Sequence, residues 1–277
     1  MISMPNHIDY GEIMFTGKCN FKCFFCIGHE MGDKVYSKNS EDFNDWKGFK
    51  EWIEFLKVNQ VPKIYLSSTS SEPLLYKNID KLIIYLQNEG FKVGIRTNAS
   101  ANKASEILSL CTEEISVSLQ SLNPETFKKI TKGSLNFNII NVLKNIKLKD
   151  TAHLRVSIVI NRYNEDEILD ILDTLKDIKS IKYVQLRKVY KYDPIVEGVD
   201  FTEDFNAYQR IRDLISSKYE KIGNFKESEI FNINGLNVSL WDVTFCRESI
   251  QSTIFWTDGR TTFNNLLVPG YKECKEK

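Results

Sequence analysis

Three cysteines, Cys19, Cys23 and Cys26, fall within eight residues, separated by three and then two positions, with Thr16-Gly17-Lys18 just before them. Thiols placed this way can converge from one loop on a soft metal centre, because thiolates favour iron-sulfur clusters, zinc or copper(I). Their number is informative. A closed structural zinc site needs four protein ligands; the loop supplies three thiols, and His29 is near enough in sequence to complete a Cys3His zinc loop. A four-iron cluster on three cysteines would instead leave one iron open to a reactive molecule. Chance clustering of core cysteines is the third alternative.

The CxxxCxxC spacing resembles the signature of the radical S-adenosylmethionine (SAM) superfamily. The resemblance implies one [4Fe-4S] cluster on Cys19, Cys23 and Cys26, SAM on the fourth iron, and a flavodoxin- or ferredoxin-type electron donor. It also implies a 5′-deoxyadenosyl radical that takes hydrogen from a substrate. Phe25 occupies the family's aromatic position before the last cysteine, against the adenine. Residues 69–75, Thr-Ser-Ser-Glu-Pro-Leu-Leu, resemble the family's TGGEPLL segment with serine at both glycines. By that match Ser70 and Ser71 line the approach of the backbone to SAM, and Glu72 binds its methionyl ammonium through a charge-assisted contact. A capping role for Ser and Glu ahead of Pro73 is the alternative. Residues 117–131 are similar to the VSLDSLDPETFKKI region of the MoaA-like branch, with Gln120 replacing an acid. In that branch Thr97, Ser118 and Arg155 match positions near SAM, and Asn161 falls in the segment after the fifth strand. Arg155 also stands out on its own terms: a charge embedded in the apolar run 154–160 is costly to bury unless paired. Otherwise it faces solvent at a barrel end.

Chemistry of this kind needs elements that bring distant residues to one rim. Residues 12–16 read as a strand feeding the cysteine loop, which continues to an N-cap at Ser40 and a helix over 41–57 carrying the stripe Phe49, Trp52, Ile53 and Leu56. Strands follow at 63–67, 92–97, 114–119, 154–160 and 183–189, all rich in β-branched residues. Helices fall between them at 78–89, 101–110, 124 onward after the cap Asn123, 137–147 and 165–177, with Gly90 as a C′ residue. Strand-helix alternation of this sort argues for parallel βα units with right-handed crossovers. The fold class is therefore α/β: an incomplete (β/α)6 TIM-type barrel with a short C-terminal α+β extension. Active-site residues of such barrels gather at the C-terminal ends of the strands. The cysteines, residues 70–73, Thr97-Asn98, Ser118 with Gln120, and Asn161 all fall there.

The rhythm stops after Val189. The core is assigned to 1–190 and the extension to 191–277, with a helix over 203–218 and short strands at 230–233, 238–241 and 253–256. Asp258-Gly259 could turn the last of these into 261–263. The extension should pack across the open side or mouth of the barrel. It has no complete auxiliary-cluster motif, because Cys246 and Cys274 lie far apart. From Cys246, twelve residues, Gly259 and four more lead to Asn264, where SPASM and twitch relatives would carry cysteine. That spacing makes Cys246 a relic of a lost cluster or a core residue, an unusual ligand, or a catalytic thiol. Cys111 should fill core. Lys188, Tyr190, Lys191 and Tyr192 follow the sixth strand, so some should face the cavity, and Arg187, Arg247 and Arg260 could bind an anionic substrate. Trp241 and the two tyrosines are candidates to shape the pocket.

Lys plus Arg and Asp plus Glu are balanced at 37 each, which argues against a nucleic-acid partner. No apolar run serves as a signal peptide or membrane span, and six cysteines in 277 residues are too few for a disulfide scaffold, so a cytoplasmic protein is expected. The leading expectation is a radical SAM enzyme acting on a small-molecule substrate, a small polar metabolite. A first cysteine at residue 19 leaves little room for an N-terminal peptide-recognition domain. A ribosomally made peptide substrate is the alternative, followed by glycyl-radical formation on a partner and by a non-catalytic iron-sulfur or zinc protein.

Overall fold

The computed structural model describes residues 7–17, 19–26, 41–69, 71–189, 200–225, 228–242 and 252–263. Six strands follow the expected order: β1 Tyr10–Phe15, β2 Lys63–Ser68, β3 Lys92–Thr97, β4 Glu114–Ser118, β5 His153–Val159 and β6 Ile181–Arg187. Each pairs in parallel with the next. The connecting helices are α1 Phe49–Val58, α2 Ile79–Asn88, α3 Ala104–Leu108, α4 Pro124–Thr131, α5 Ile139–Asn145 and α6 Ile168–Leu175. A longer helix, α7 Thr202–Lys218, precedes β7 Lys221–Phe225, β8 Ser228–Ile233, β9 Leu236–Trp241, β10 Ser252–Trp256 and β11 Thr261–Phe263.

Alternation along the strands separates two environments. Ile13, Ile64, Leu66, Val93, Ile95, Ile115, Val117, Leu154, Val156, Val184 and Leu186 are fully buried on the outer face, under the helices. Their helical counterparts recur at i, i+3, i+4 and i+7, as in Ile79, Leu82, Ile83 and Leu86 of α2. Burial of each such side chain contributes about 1.5–3 kcal/mol, which makes this layer the core. The inner face is polar instead, with Glu12, Ser67, Ser116, Ser157, Gln185 and Ser239 all buried. Gly94 belongs to this face because a Cβ there would lie 2.5 Å from the Tyr65 ring and 2.7 Å from the Glu114 carbonyl.

The described strands of the extension lengthen the sheet at both edges, on the open side of the barrel, in the order β11-β10-β1-β2-β3-β4-β5-β6-β9-β8-β7. β10 runs parallel to β1, and β9 parallel to β6. The physical anchor of β10 is aromatic: Phe255 packs at 5.3 Å from Phe49 and 5.6 Å from Trp52, and the Trp52 indole donates to Thr253 Oγ1 at 3.2 Å. The Asp258-Gly259 turn joins β10 to β11 as anticipated, with Gly259 at φ +97°. β7 had no signal, being a largely exposed edge strand without alternation.

Two helix starts also differ. Ser40 lies outside the described residues. The expected helix over 41–57 is a single 3-10 turn, Phe43–Asp45, capped by Asp42, and then α1; Gly48 at φ +77° breaks the helical path between them. α3 begins only after Lys103, which is left-handed at φ +60°. No helix among the described residues is long and apolar enough to cross a membrane.

Candidate functional site

The cysteine loop leaves β1 where Thr16 is clamped: its amide donates to Thr257 Oγ1 at 3.1 Å. The loop then docks on the end of α4. Lys22 and Phe24 amides donate to the Thr131 and Ile130 carbonyls at 2.7 and 3.1 Å. The Phe21 ring meets Phe127 edge-on at 5.2 Å and stacks against Phe137 at 6.4 Å. Gly133 makes room for that ring. Asn98, just past β3, ties the loop from the other side, donating to Asn20 Oδ1 at 3.0 Å and to Cys19 Sγ at 3.8 Å.

Cys19, Cys23 and Cys26 are reduced thiols, each half-buried. Burial pushes Cys19 up to about 11, with the Phe21 amide pulling the other way, and pushes Cys23 up to about 12, with Cys26 and Cys19 adding to the rise. No three His, Cys, Asp or Glu side chains among the described residues group tightly enough to hold a metal ion. The sulfurs share one neighbourhood without meeting at a point. Thiols next to a cation lose their protons readily, so the donor set suits a thiophilic iron centre that brings its own charge.

Glu72 stands beside this loop, at the end of β2. It is buried and accepts from the Leu74 amide at 3.1 Å, the Asn98 amide at 2.8 Å and the Thr97 hydroxyl. The carboxylate thus caps the 3-10 turn Pro73–Leu75 and joins the β2 and β3 ends. Burial raises its pKa to about 7, against the opposing pull of those three hydrogen bonds. Thr97 and Glu72 are therefore brought together with the cysteine loop, and Ser71 is buried next to them. Ser70 lies outside the described residues, as do His29, Tyr190, Lys191, Tyr192, Cys246, Arg247, Asn264 and Cys274.

Other candidates stand further off. Phe25 contacts Phe24 edge-on at 5.2 Å, and Phe24 in turn meets Tyr163 and Phe201. Ser118 is exposed at the end of β4. Asn161 is fully buried, and its side chain donates to the Val159 carbonyl at 2.9 Å and accepts from the Tyr163 amide at 3.0 Å, so it shapes its own loop. Arg155 sits low in β5, not at the rim. It pairs with Glu114 at 3.1 Å and donates twice to Ser116 Oγ. Cys111 is buried in the core as expected.

Two basic candidates are already neutralised. Arg260 forks onto Asp258, with Nη2 at 2.7 Å from Oδ2, and lies over the Trp256 ring. Lys188 pairs with Asp242 at 2.8 Å and stands over Phe205 and Tyr208, aromatic residues of α7.

A cavity of about 730 Å³ occupies the interior, lined among others by Tyr65, Arg96, Glu114, Arg155, Gln185 and Trp241. Glu12 is the buried partner of Arg96 and also accepts from Ser67 at 2.5 Å. Glu114 gathers Arg155, His153 at 3.3 Å and Tyr183 at 2.9 Å. Sequence reasoning missed this network. The cue that singled out Arg155, a charge inside an apolar strand, applies equally to Glu12 and Arg96.

Comparison with known proteins completes the picture. A GTP 3′,8-cyclase of Helicobacter pylori is 28% identical over 224 residues, 78% of this chain and 65% of that enzyme. A probable GTP 3′,8-cyclase of Methanocaldococcus jannaschii is 27% identical over 272 residues, 93% of this chain and 83% of that protein. The crystal structure of Streptococcus suis SuiB bound to precursor peptide SuiA has the same fold, with a TM-score of 0.64 at 18% identity, covering 93% of this chain and 60% of that one. The chain thus spans less than two thirds of the Helicobacter and Streptococcus proteins. The family model of the Radical SAM superfamily matches residues 13–175, which run from β1 to the end of α6 and hold the cysteine loop, Glu72 and Thr97, and the chain belongs to that superfamily.

Proposed function

We propose that the protein is a radical SAM enzyme that removes a hydrogen atom from a small polar metabolite, with Cys19, Cys23 and Cys26 holding a [4Fe-4S] cluster. One observation carries the reading: the loop at the end of β1 that holds the three thiols is tied at Cys19 and Asn20, through Asn98, to the Glu72–Thr97 pair at the ends of β2 and β3. Cluster and SAM, when bound, supply a one-electron reduction and the means of abstracting hydrogen. The side chains do the rest. The Phe21 amide and Asn98 donate to the Cys19 sulfur, and hydrogen bonds of this kind tune an iron-sulfur centre's potential. In the ionised form, which a neighbouring ammonium favours, a carboxylate has about four acceptor sites, and Glu72 uses three within the protein. The fourth is left for the methionyl ammonium. Phe25 offers an aromatic surface to the adenine, and Ser71 and Ser118 offer hydroxyls along the rim. Arg155, held by Glu114 and Ser116, belongs to the chamber beneath rather than to the SAM carboxylate. A flavodoxin or ferredoxin would deliver the electron.

The test is anaerobic loading with iron and sulfide, dithionite reduction, and chromatography for 5′-deoxyadenosine, with Cys23→Ala as control. About four irons per chain and cleavage that disappears in the control are expected. A single zinc with intact SAM would refute the proposal. GTP, named for the curated relatives, is the first metabolite to offer. A mass change on a precursor peptide, with none on metabolites, would transfer the substrate assignment to peptides.

A further inference from the structure

The inner face of the sheet carries three arginines, and two have counter-ions. Arg96 pairs with Glu12, and Arg155 with Glu114. Arg187, the last residue of β6, shares its face with Tyr183 and Gln185, which line the cavity, while Val184 and Leu186 turn outward under the helices. Its flanking partners in the sheet are Val159 on β5 and Trp241 on β9. Neither can neutralise it. Among the described residues no carboxylate lies within ion-pair distance of Arg187, and its contact is the Trp241 ring at 6.0 Å. Burial, then the positive charges of Arg155 and Arg96, lower its pKa to about 10, so it remains charged at neutral pH. A half-buried guanidinium with no counter-ion among the described residues costs stability. That cost is offset when a ligand supplies the missing charge, and a guanidinium fork matches carboxylate or phosphate geometry.

We infer that Arg187 and Trp241 form the binding site for an oxyanion, a carboxylate or phosphate, on the substrate. The inference rests on the proposed reaction, because it assigns the barrel interior to the molecule that loses hydrogen. It narrows the substrate to an anionic one.

The experiment uses the anaerobic, cluster-loaded protein, titrated calorimetrically with inorganic phosphate as probe and melted with and without it. Phosphate should bind wild type and raise its melting temperature. Arg187→Met should weaken phosphate binding by about tenfold or more, as loss of a charge-assisted contact implies, and Arg187→Lys should recover part of it. Ligand-free Arg187→Met should melt no lower than wild type, because an unmatched charge has been removed. A lower melting temperature would mark Arg187 as a structural residue and overturn the proposal. So would absence of phosphate binding in wild type, or equal affinity in wild type and Arg187→Met. If SAM displaces phosphate and Arg187→Met weakens both alike, the oxyanion is the SAM carboxylate and the substrate assignment falls. Formation of 5′-deoxyadenosine by wild type is scored separately, so failure of the reaction class is distinguished from failure of this site.

Discussion

Gly133→Ala should loosen the cysteine loop without touching a cysteine. A Cβ at Gly133 would stand 2.4 and 2.7 Å from two ring carbons of Phe21. That ring has little room to move, held by Phe127 and Phe137 and by the docking of the next residues, through the Lys22 and Phe24 amides, on the end of α4. Two effects oppose each other. Exchanging glycine for alanine restricts the unfolded chain and contributes about 0.4–1 kcal/mol of stability where the backbone permits it, and Gly133 lies outside the left-handed region. Overpacking a confined ring costs about 1–3 kcal/mol. The clash wins, and a net loss of about 0.5–2 kcal/mol is expected, a fall of a few degrees in melting temperature for a chain of this size. Because Phe21 lies between Cys19 and Cys23, displacement of the ring should also lower the iron retained per chain after anaerobic loading. The assay is a double-mutant cycle with Phe21→Leu, which makes room for the new methyl. Coupling of at least about 0.5 kcal/mol is expected for groups in direct contact. A Gly133→Ala protein as stable as wild type, or a cycle that is additive, would refute the packing argument.

Two other outcomes follow from the same geometry. Burial raises the Glu72 carboxyl from its ordinary 4.5 to about 7, so the native state keeps a proton that the unfolded chain releases. Its stability contribution is present below about 4.5 and is lost as pH rises through about 7, by up to about 3 kcal/mol; urea unfolding at pH 5 and pH 8 should show wild type losing more than Glu72→Gln, and equal losses would disprove the assignment. Phe255 is fully buried in the ring cluster of α1. Phe255→Ala should cost about 3–5 kcal/mol and speed amide exchange across β10 and β11, whereas a cost below about 1 kcal/mol would mean that the extension is not anchored by this ring.

The six strands of the core were legible because each satisfies a local rule: apolar residues pointing outward at period two, followed by a helical stripe that covers them. Failures occur where a local rule is broken by a backbone angle or settled by a distant partner. Gly48, at φ +77°, cuts short a helix expected to begin at residue 41, while the stripe Phe49, Trp52, Ile53 and Leu56 stays within α1. Asn234-Gly235, with φ of +53° and +90°, turns β8 back on β9, a pairing for which the Asn-Gly dipeptide is a local signal. That β9 lies beside β6 and β10 beside β1 is written in no local pattern. Both placements depend on surfaces assembled from residues far apart in the chain, such as Phe255 against Phe49 and Trp52.

The site divides along the same line. Cysteine spacing is local, and so was readable; the counter-ion of an interior charge is not. Arg155 and Arg187 are both cations on the inner face of a parallel strand, Arg155 within β5 and Arg187 at the end of β6. Parallel register separates them. Arg155 lies opposite Ser116 and within reach of Glu114 on β4, so its charge is matched inside the protein. Arg187 is set between Val159 and Trp241 by the registers of β5 and β9, and no acid stands at that level on either neighbour. A shift of one residue in either pairing would turn a different side chain toward it. Among the described residues the sheet therefore matches Arg155 from within and sets no acid against Arg187, and that difference in register is the ground on which Arg187 is proposed to meet a ligand.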